Sequence, residues 1–446
     1  MSDKALMPRG VCLLLSFIGL TACAVPGDSV APNKSKPDPE WDWNVIIGTG
    51  QSLSVGGNGF PPVTTAQPFG NLMLSSEDLQ WPVDPSDPKF SLIPLVEPCG
   101  RRATGYPSAW PTNLDGETAH SGAANQISYL SQQKFHHDYT TIHFDVGEAG
   151  QGMVRIRKEP IKEGVTGRAY EASIIQTQAI GRLAKAAGKS YGVSAILMTH
   201  GETDTGNAHY EDELYKLWAD YNGDIKAITG QKKNVLMIVS QHNRLGEFSP
   251  STVAQWKVGD DHPESIVCSG PKYQYPYGRD SLHMTAEGYR QLGEKSGEVY
   301  FERVVLGKRW RPLEPVGVSR KGTVLTVKFH VPNGPLVWDS TFGSPHPSSP
   351  EWSNGKGFEL TDTSGKRVSI KSVELKGANM VELVLASDPG PGVRLSYALV
   401  GEPTLAKPPF NASPHWGLLR DSDPFVGYGS HSAQPNFCVA FELKVP

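Results

Sequence analysis

The sequence predicts a three-layer α/β domain with a parallel sheet, followed by a smaller all-β sandwich. Three observations predict it. Short β-branched runs alternate with amphipathic stretches between Trp43 and Gly307, the apolar period changes to two after Arg311-Pro312, and turn residues punctuate the C-terminal runs. A chain of 446 residues and 48.4 kDa has room for two or three domains and a sizeable core. Apolar residues make up 38% and charged residues 20%, the balance of a soluble globular protein rather than a disordered one. Forty-two Lys and Arg against 46 Asp and Glu leave a net charge of −4, which does not favour nucleic acid as a partner. Glycine (47) and proline (36) together make about a fifth of the chain, above the ~12% average, and predict many ordered loops.

The first segment, residues 1–22, reads as a signal peptide. Lys4 and Arg9 precede an apolar run from Val11 to Ala22, too short for the ~20 residues of a membrane-spanning helix. The run ends Leu20-Thr21-Ala22-Cys23, which resembles the bacterial lipobox. The resemblance implies cleavage before Cys23 and lipidation of its thiol, a stable membrane anchor when several acyl chains are attached. Ala24 stands where such proteins carry Asp when they are retained at the inner membrane, so an outer-membrane address, periplasmic or surface, is expected. Residues 23–40 hold Pro26, Pro32, Pro37 and Pro39 among Ser, Lys and Asp, the composition of an extended tether. Export would put Cys99, Cys268 and Cys438 in an oxidising compartment, where one disulfide could form between a pair the sequence does not choose.

Residues 41–310 carry the alternation. Asn44–Gly48, Thr140–Val146, Val193–Met198 and Asn234–Ser240 are short, β-branched runs bounded by turn residues, as buried parallel strands are. Ala123–Gln133, Ala172–Ala187, Tyr210–Ile228 and Thr285–Val304 are the helical candidates. Leu214, Leu217, Trp218 and Tyr221 fall on one helical face. Two stretches break the pattern. Gly57–Pro111 is rich in Pro and aromatics (Phe60, Phe69, Trp81, Tyr106, Trp110) without a convincing element, and is expected to form an ordered wall beside the site. Gly147–Tyr170 is Gly-rich and then basic. In residues 311–446, Leu325, Val327, Phe329 and Val331 alternate with polar residues, and Phe437 to Val445 do the same. Val368–Ile370, Val381–Leu385 and Val393–Tyr397 supply further strands.

Parallel sheets present ligands at the carboxyl ends of their strands. Gly48-Thr49-Gly50-Gln51-Ser52-Leu53-Ser54 follows the first run, but Leu53 denies it the third glycine of a dinucleotide fingerprint, and no Gly-x-Ser-x-Gly is present there. What remains is a serine at a tight strand-to-helix turn, either a nucleophile or a helix cap. Asp280-Ser281-Leu282-His283 could bring a carboxylate to Nδ1 of an imidazole whose Nε2 faces outward, the arrangement that activates a hydroxyl. No His-Glu-x-x-His or Cys-x-x-Cys set argues for a metal, and no cofactor is expected. His200-Gly201-Glu202-Thr203-Asp204 crowds polar groups at the end of the third run. His120-Ser121-Gly122-Ala123-Ala124-Asn125 opens a helix, where Gly122 lets a backbone amide approach a ligand.

In that order, Gly50-Gln51-Ser52, Gly122, His200-Gly201-Glu202-Thr203-Asp204 and Asp280-x-x-His283 resemble the SGNH/GDSL-type hydrolases, over about Asn44 to Leu306. The branch they look like is that of the carbohydrate O-acetylesterases related to sialate and xylan acetylesterases. The resemblance implies a flavodoxin-like esterase domain. It makes Ser52 the nucleophile, His283 the base and then the acid, and Asp280 the orienting carboxylate. The amides of Ser52 and Gly122 would line the oxyanion hole. His200 stands where the branch has Gln, so its Nε2–H, or the hydroxyl of Thr203, would complete the hole. Gln51, Glu202, Asn125 and Gln151 would support the site or touch substrate, with the Gly147–Gly152 loop as a pocket edge. The expected activity is removal of O-acetyl groups from a carbohydrate through an acyl-enzyme. A lipase or lysophospholipase of the same superfamily is one alternative, and an inactive glycan-binding surface lipoprotein another.

Overall fold

The computed structural model describes residues 36–39, 41–100, 103–105, 116–159, 168–242, 248–401 and 415–446. The signal peptide, Cys23 and most of the tether lie outside the described residues, as do Tyr106 and Trp110. No described helix is long and apolar enough to cross a membrane.

Seven strands form the first sheet: β1 (Trp43–Gly50), β2 (Leu72–Ser75), β3 (Ser91–Pro94), β4 (Thr141–Asp145), β5 (Tyr191–Thr199), β6 (Leu236–Gln241) and β7 (Ile266–Pro271), in the order β3-β2-β4-β1-β5-β6-β7. All neighbours pair in parallel except β2 and β3. The helices are α1 (Ala119–Phe135), α2 (Met153–Ile156), α3 (Arg168–Ala187), α4 (Tyr210–Thr229), α5 (Pro250–Asp261) and α6 (Ala286–Tyr300). Alternation along β1 sorts them into layers. Val45 and Ile47 join the apolar cluster of Ile180, Leu214 and Tyr221, while Ile46 joins the opposite one with Ala123, Ile127 and Val299. Two strands, β2 and β3, cross the stretch expected to lack elements. Their LMLS and SLIP segments are four residues each at the sheet's edge, too short for a period to show.

Helices α1 and α6 approach each other through glycines. A Cβ on Gly122 would sit 2.5 Å from the Arg290 carbonyl oxygen, and one on Gly293 would sit 2.3 Å from that of Ala119. This contact fixes the start of α6 and hence the loop that precedes it.

The remaining strands are β8 (Glu314–Lys321), β9 (Val324–His330), β10 (Leu336–Trp338), β11 (Phe358–Thr361), β12 (Ile370–Lys376), β13 (Met380–Leu385), β14 (Arg394–Tyr397), β15 (Leu419–Asp421) and β16 (Phe441–Lys444). They make antiparallel sheets β12-β13-β9-β8, β11-β14-β16 and β10-β15. The alternation Leu325, Val327, Phe329 is buried as its period demands. The terminal run, by contrast, splits. Only Phe441–Lys444 is strand, because the Gln241 side chain at the end of β6 holds both the amide and the carbonyl of Ala440 at 2.7 Å. The Tyr273 hydroxyl donates to the Cys438 carbonyl at 2.6 Å. One apolar cluster runs from Val45 and Met237 to Leu325 and Phe441, so the two regions share a core. Cys99, Cys268 and Cys438 are buried thiols with no disulfide among them.

Glu294 of α6, 1% exposed, ties the chain's end to the first domain. Its carboxylate accepts from the Gly429 and Ser430 amides at 2.8 and 2.7 Å, and from the Ser430 hydroxyl and Gln434 amide. Truncation would orphan those donors, so Glu294→Ala should lower unfolding free energy by about 3 kcal/mol or more in denaturant titration. A loss of only a few tenths would show that this anchor is unimportant.

Candidate active site

The site begins where β1 ends. Gly50 has φ +141, and a Cβ there would lie 2.0 Å from the Thr199 carbonyl oxygen, so only glycine lets β1 turn beside β5. The Gln51 amide donates to that same oxygen at 3.1 Å. Residues 51–58 then form successive turns, with Ser54 N–H to the Gln51 carbonyl at 2.8 Å and Gly57 N–H to the Ser52 carbonyl at 2.7 Å. The helix expected after Ser52 is absent. Glycines 56, 57 and 59 keep the segment in turns, so no helix dipole acts on the Ser52 hydroxyl.

The loop between β7 and α6 carries the imidazole that meets Ser52. Tyr277 and Met284 bridge its two arms, the Gly278 amide donates to the His283 carbonyl at 2.7 Å, and Ser281 at its tip has φ 54. Asp280 Oδ1 accepts from the Leu282 and His283 amides at 3.0 and 2.9 Å, folding the loop back on itself. Its Oδ2 lies 2.7 Å from His283 Nδ1, and His283 Nε2 lies 2.8 Å from Ser52 Oγ. Ser52 and His283 are 7% and 8% exposed, so the pair reaches the surface without being open to bulk water. Burial works to raise the Asp280 carboxyl, but hydrogen bonds from the His283 ring and the two amides outweigh it and hold the group well below the carboxylate range. An ionised Asp280 accepts Nδ1–H, which leaves Nε2 as the nitrogen that can take the serine proton.

Asn58 is a partner the sequence reading missed. With φ 59 it donates from Nδ2 to Asp280 Oδ2 at 2.7 Å. Its signal was the Asn-Gly pair at 58–59, since Asn tolerates this left-handed conformation.

Two expected oxyanion donors lie elsewhere. Gly122 sits inside α1 against α6, and an amide in the fourth position of a helix is committed to the helix itself. His200 is fully buried between other partners: its Nδ1 lies 2.8 Å from the Tyr210 hydroxyl, and its Nε2–H donates to the Gln151 carbonyl at 3.0 Å. Burial pushes this imidazole below its ordinary range, so it stays neutral with that nitrogen occupied. Thr203 spends its hydroxyl on Gln51 Oε1 at 3.2 Å, where its amide also donates at 3.3 Å. Of the expected set, the Ser52 amide remains at the turn. Asn125 lines a separate hollow with Thr64, Arg290 and Tyr428. Gln151 belongs to the Gly147–Gly152 loop, which packs on the turn that carries Ser52: the Glu148 amide donates to the Gly50 carbonyl at 3.0 Å. Among the described residues no group of three His, Cys, Asp or Glu is placed to hold a metal ion.

Glu202 and Lys272, both buried, form an ion pair that ties the carboxyl end of β5 to the turn after β7. Burial would raise Glu202, but Lys272 and His242 bring it down to about 2. A carboxyl lowered from 4.5 stabilises the fold fully above that value and loses the contribution as pH falls towards 2. Glu202→Gln and Lys272→Met should each cost about 3–5 kcal/mol, and the double variant less than either, because a lone buried charge is worse than none. Additive losses in denaturant titration would contradict this. The acid-side loss of stability carried by Glu202 should be missing from Glu202→Gln.

No protein-family model matches the sequence, and no curated protein sequence matches it. Solved structures do. A carbohydrate acetylesterase from Xanthomonas citri aligns at TM-score 0.53 and 13% identity, over 90% of this chain and 80% of that one. A protein from Arabidopsis thaliana aligns at TM-score 0.42 and 15% identity, over 59% and 99%. A carbohydrate acetylesterase from Sinorhizobium meliloti aligns at 0.29 and 12%, over 57% and 97%. At these identities the likeness is one of fold, and only the first is close enough to carry it: the chain shares the architecture of the Xanthomonas citri protein across most of both lengths.

Proposed function

We propose that this chain is a serine esterase that removes O-acetyl groups from a carbohydrate. The observation that carries the reading is the unbroken line from Ser52 Oγ through His283 to Asp280, at 2.8 and 2.7 Å. Ser52 Oγ attacks the ester carbonyl while His283 Nε2 takes its proton. The Asp280 carboxylate holds the ring in this tautomer and stabilises the imidazolium. The imidazolium then returns the proton to the departing sugar hydroxyl, leaving an acetyl-serine. Water enters, His283 removes its proton, and acetate leaves with Ser52 restored. The Ser52 amide faces the developing oxyanion. Acetyl as the acyl group and carbohydrate as the remainder draw support from the fold shared with the Xanthomonas citri carbohydrate acetylesterase and from Phe60, 48% exposed two residues beyond Asn58. Export and anchoring through Cys23 belong to the same proposal, on the strength of Leu20-Thr21-Ala22-Cys23.

Ser52→Ala should reduce hydrolysis of p-nitrophenyl acetate by about 10⁴-fold or more while leaving the circular dichroism spectrum unchanged. Acetate release from a panel of acetylated polysaccharides should exceed hydrolysis of long-chain esters. Retained activity in the variant would overturn the mechanism, and preference for long acyl chains would overturn the substrate class.

A further inference from the structure

Behind the nucleophile turn lies a line of buried polar groups that the proposed mechanism does not use. Asp145, at the end of β4, accepts from the Ser54 hydroxyl at 3.0 and 2.8 Å and from the Gly147 amide at 2.7 Å. Ser54 is two residues past Ser52, and Gly147 opens the loop that packs against that turn. One carboxylate therefore clamps both. On its other side Asp145 Oδ2 faces His120 Nε2 at 3.4 Å, with both side chains almost wholly buried. His120 Nδ1 lies 2.8 Å from His143 Nδ1, and His143 Nε2 lies 2.9 Å from Thr141 Oγ1. Gly48 makes room for the crossing, since a Cβ there would lie 2.1 Å from His120 Nε2.

Hydrogen bonds along this line assign two ring protons, and the contact with Asp145 bears on a third. Asn71 Oδ1 accepts from the Thr141 amide and lies 2.9 Å from the Thr141 hydroxyl, so that hydroxyl must donate to it. Thr141 Oγ1 then accepts from His143, which requires a proton on His143 Nε2. The contact between the two Nδ1 atoms holds one proton. His120 Nε2 lies 3.4 Å from Asp145 Oδ2, an ion-pair distance at which a protonated nitrogen is favoured over a bare lone pair. The two rings carry three protons where two neutral imidazoles would carry two.

We infer that Asp145 and the His120–His143 pair form one positioning unit for the nucleophile turn, in which the two rings together hold three protons and a single positive charge that balances the Asp145 carboxylate. Burial, and secondarily the neighbouring His120, hold the His143 imidazole well below its ordinary range, and the ring that stands beside the Asp145 carboxylate is that of His120, at 3.4 Å. Glu97, buried near the start of α1, is the other carboxyl that feels His120, and Tyr221 of α4 faces Asp145. Losing the third proton at high pH would leave a buried carboxylate unbalanced and loosen the clamp on Ser54 and Gly147. The positioning role rests on Ser52 being the nucleophile, whereas the proton count does not.

Nitrogen-15 NMR of the full chain labelled at histidine, assigned with His120→Gln and His143→Gln, reads the count directly. Three protonated ring nitrogens on the pair at neutral pH are expected, both on His120 and Nε2 on His143. Two would overturn the inference. Asp145→Asn should lower kcat on p-nitrophenyl acetate by about 10- to 100-fold with KM nearly unchanged, since it misplaces the turn without touching substrate. The wild-type kcat should fall on the alkaline side where the third proton leaves, and His120→Gln should lack that limb. A variant that melts earlier but keeps kcat would overturn the positioning role. If Asp145→Asn does not fold, the wild-type NMR and pH profile still decide. An active Ser52→Ala would defeat the esterase reading while leaving the proton count standing.

Discussion

In the proposed mechanism the Ser52 hydroxyl gives its proton to His283 Nε2, and the constraint on which that depends is the Asp280 carboxylate. Its Oδ2 accepts from His283 Nδ1–H and from Asn58 Nδ2, and its Oδ1 closes the loop on the Leu282 and His283 amides. The carboxylate thus does two things at once, shaping the loop and choosing the tautomer. Everything else near the site serves to bring that loop against the end of β1.

Three constraints accomplish this. The glycine-mediated contact of α1 with α6 fixes the helix that starts at Ala286, directly after the His283 loop. Gly50 lets β1 turn sharply enough beside β5 for Ser52 to stand at the sheet's edge. The Glu202–Lys272 pair joins the ends of β5 and β7 beneath both. Each buries charge or backbone that would be costly alone, and each is satisfied by a partner far away in sequence. The β-rich C-terminal region adds to this frame, since Glu294 on α6 is held by residues 429–434 and the end of β6 by Ala440.

Much of this was legible in the sequence, for reasons that can be stated residue by residue. The central strands announce themselves because buried parallel strands need β-branched runs, and NVIIG and VSAILM lie within β1 and β5. The helical candidate beginning at Thr285 is α6 with that residue as its cap, the Thr285 hydroxyl accepting from the Gly288 amide. Ser52, Asp280 and His283 could be picked out by residue type and spacing, and the structure places Ser52 two residues past β1 and the other two in the loop before α6. Helix α5 and strand β7 were not seen: α5 mixes apolar and polar residues without a clean face, and β7 ends in Cys-Ser-Gly-Pro. His200 and Gly122 were assigned to the oxyanion hole because local pattern cannot show tertiary partners. Tyr210 and Gln151 claim the one, and Arg290 and Gly293 crowd the other. Asn58 escaped for the same reason, its partner being 222 residues away.

Catalysis of this kind stands on a reactive alcohol at one position. Treating the full chain with a fluorophosphonate and mapping the adduct by peptide mass spectrometry tests it most directly. A single adduct on Ser52, formed at least ~100-fold more slowly when His283 is replaced by alanine, is the predicted result. No adduct, or one on another residue, would contradict it.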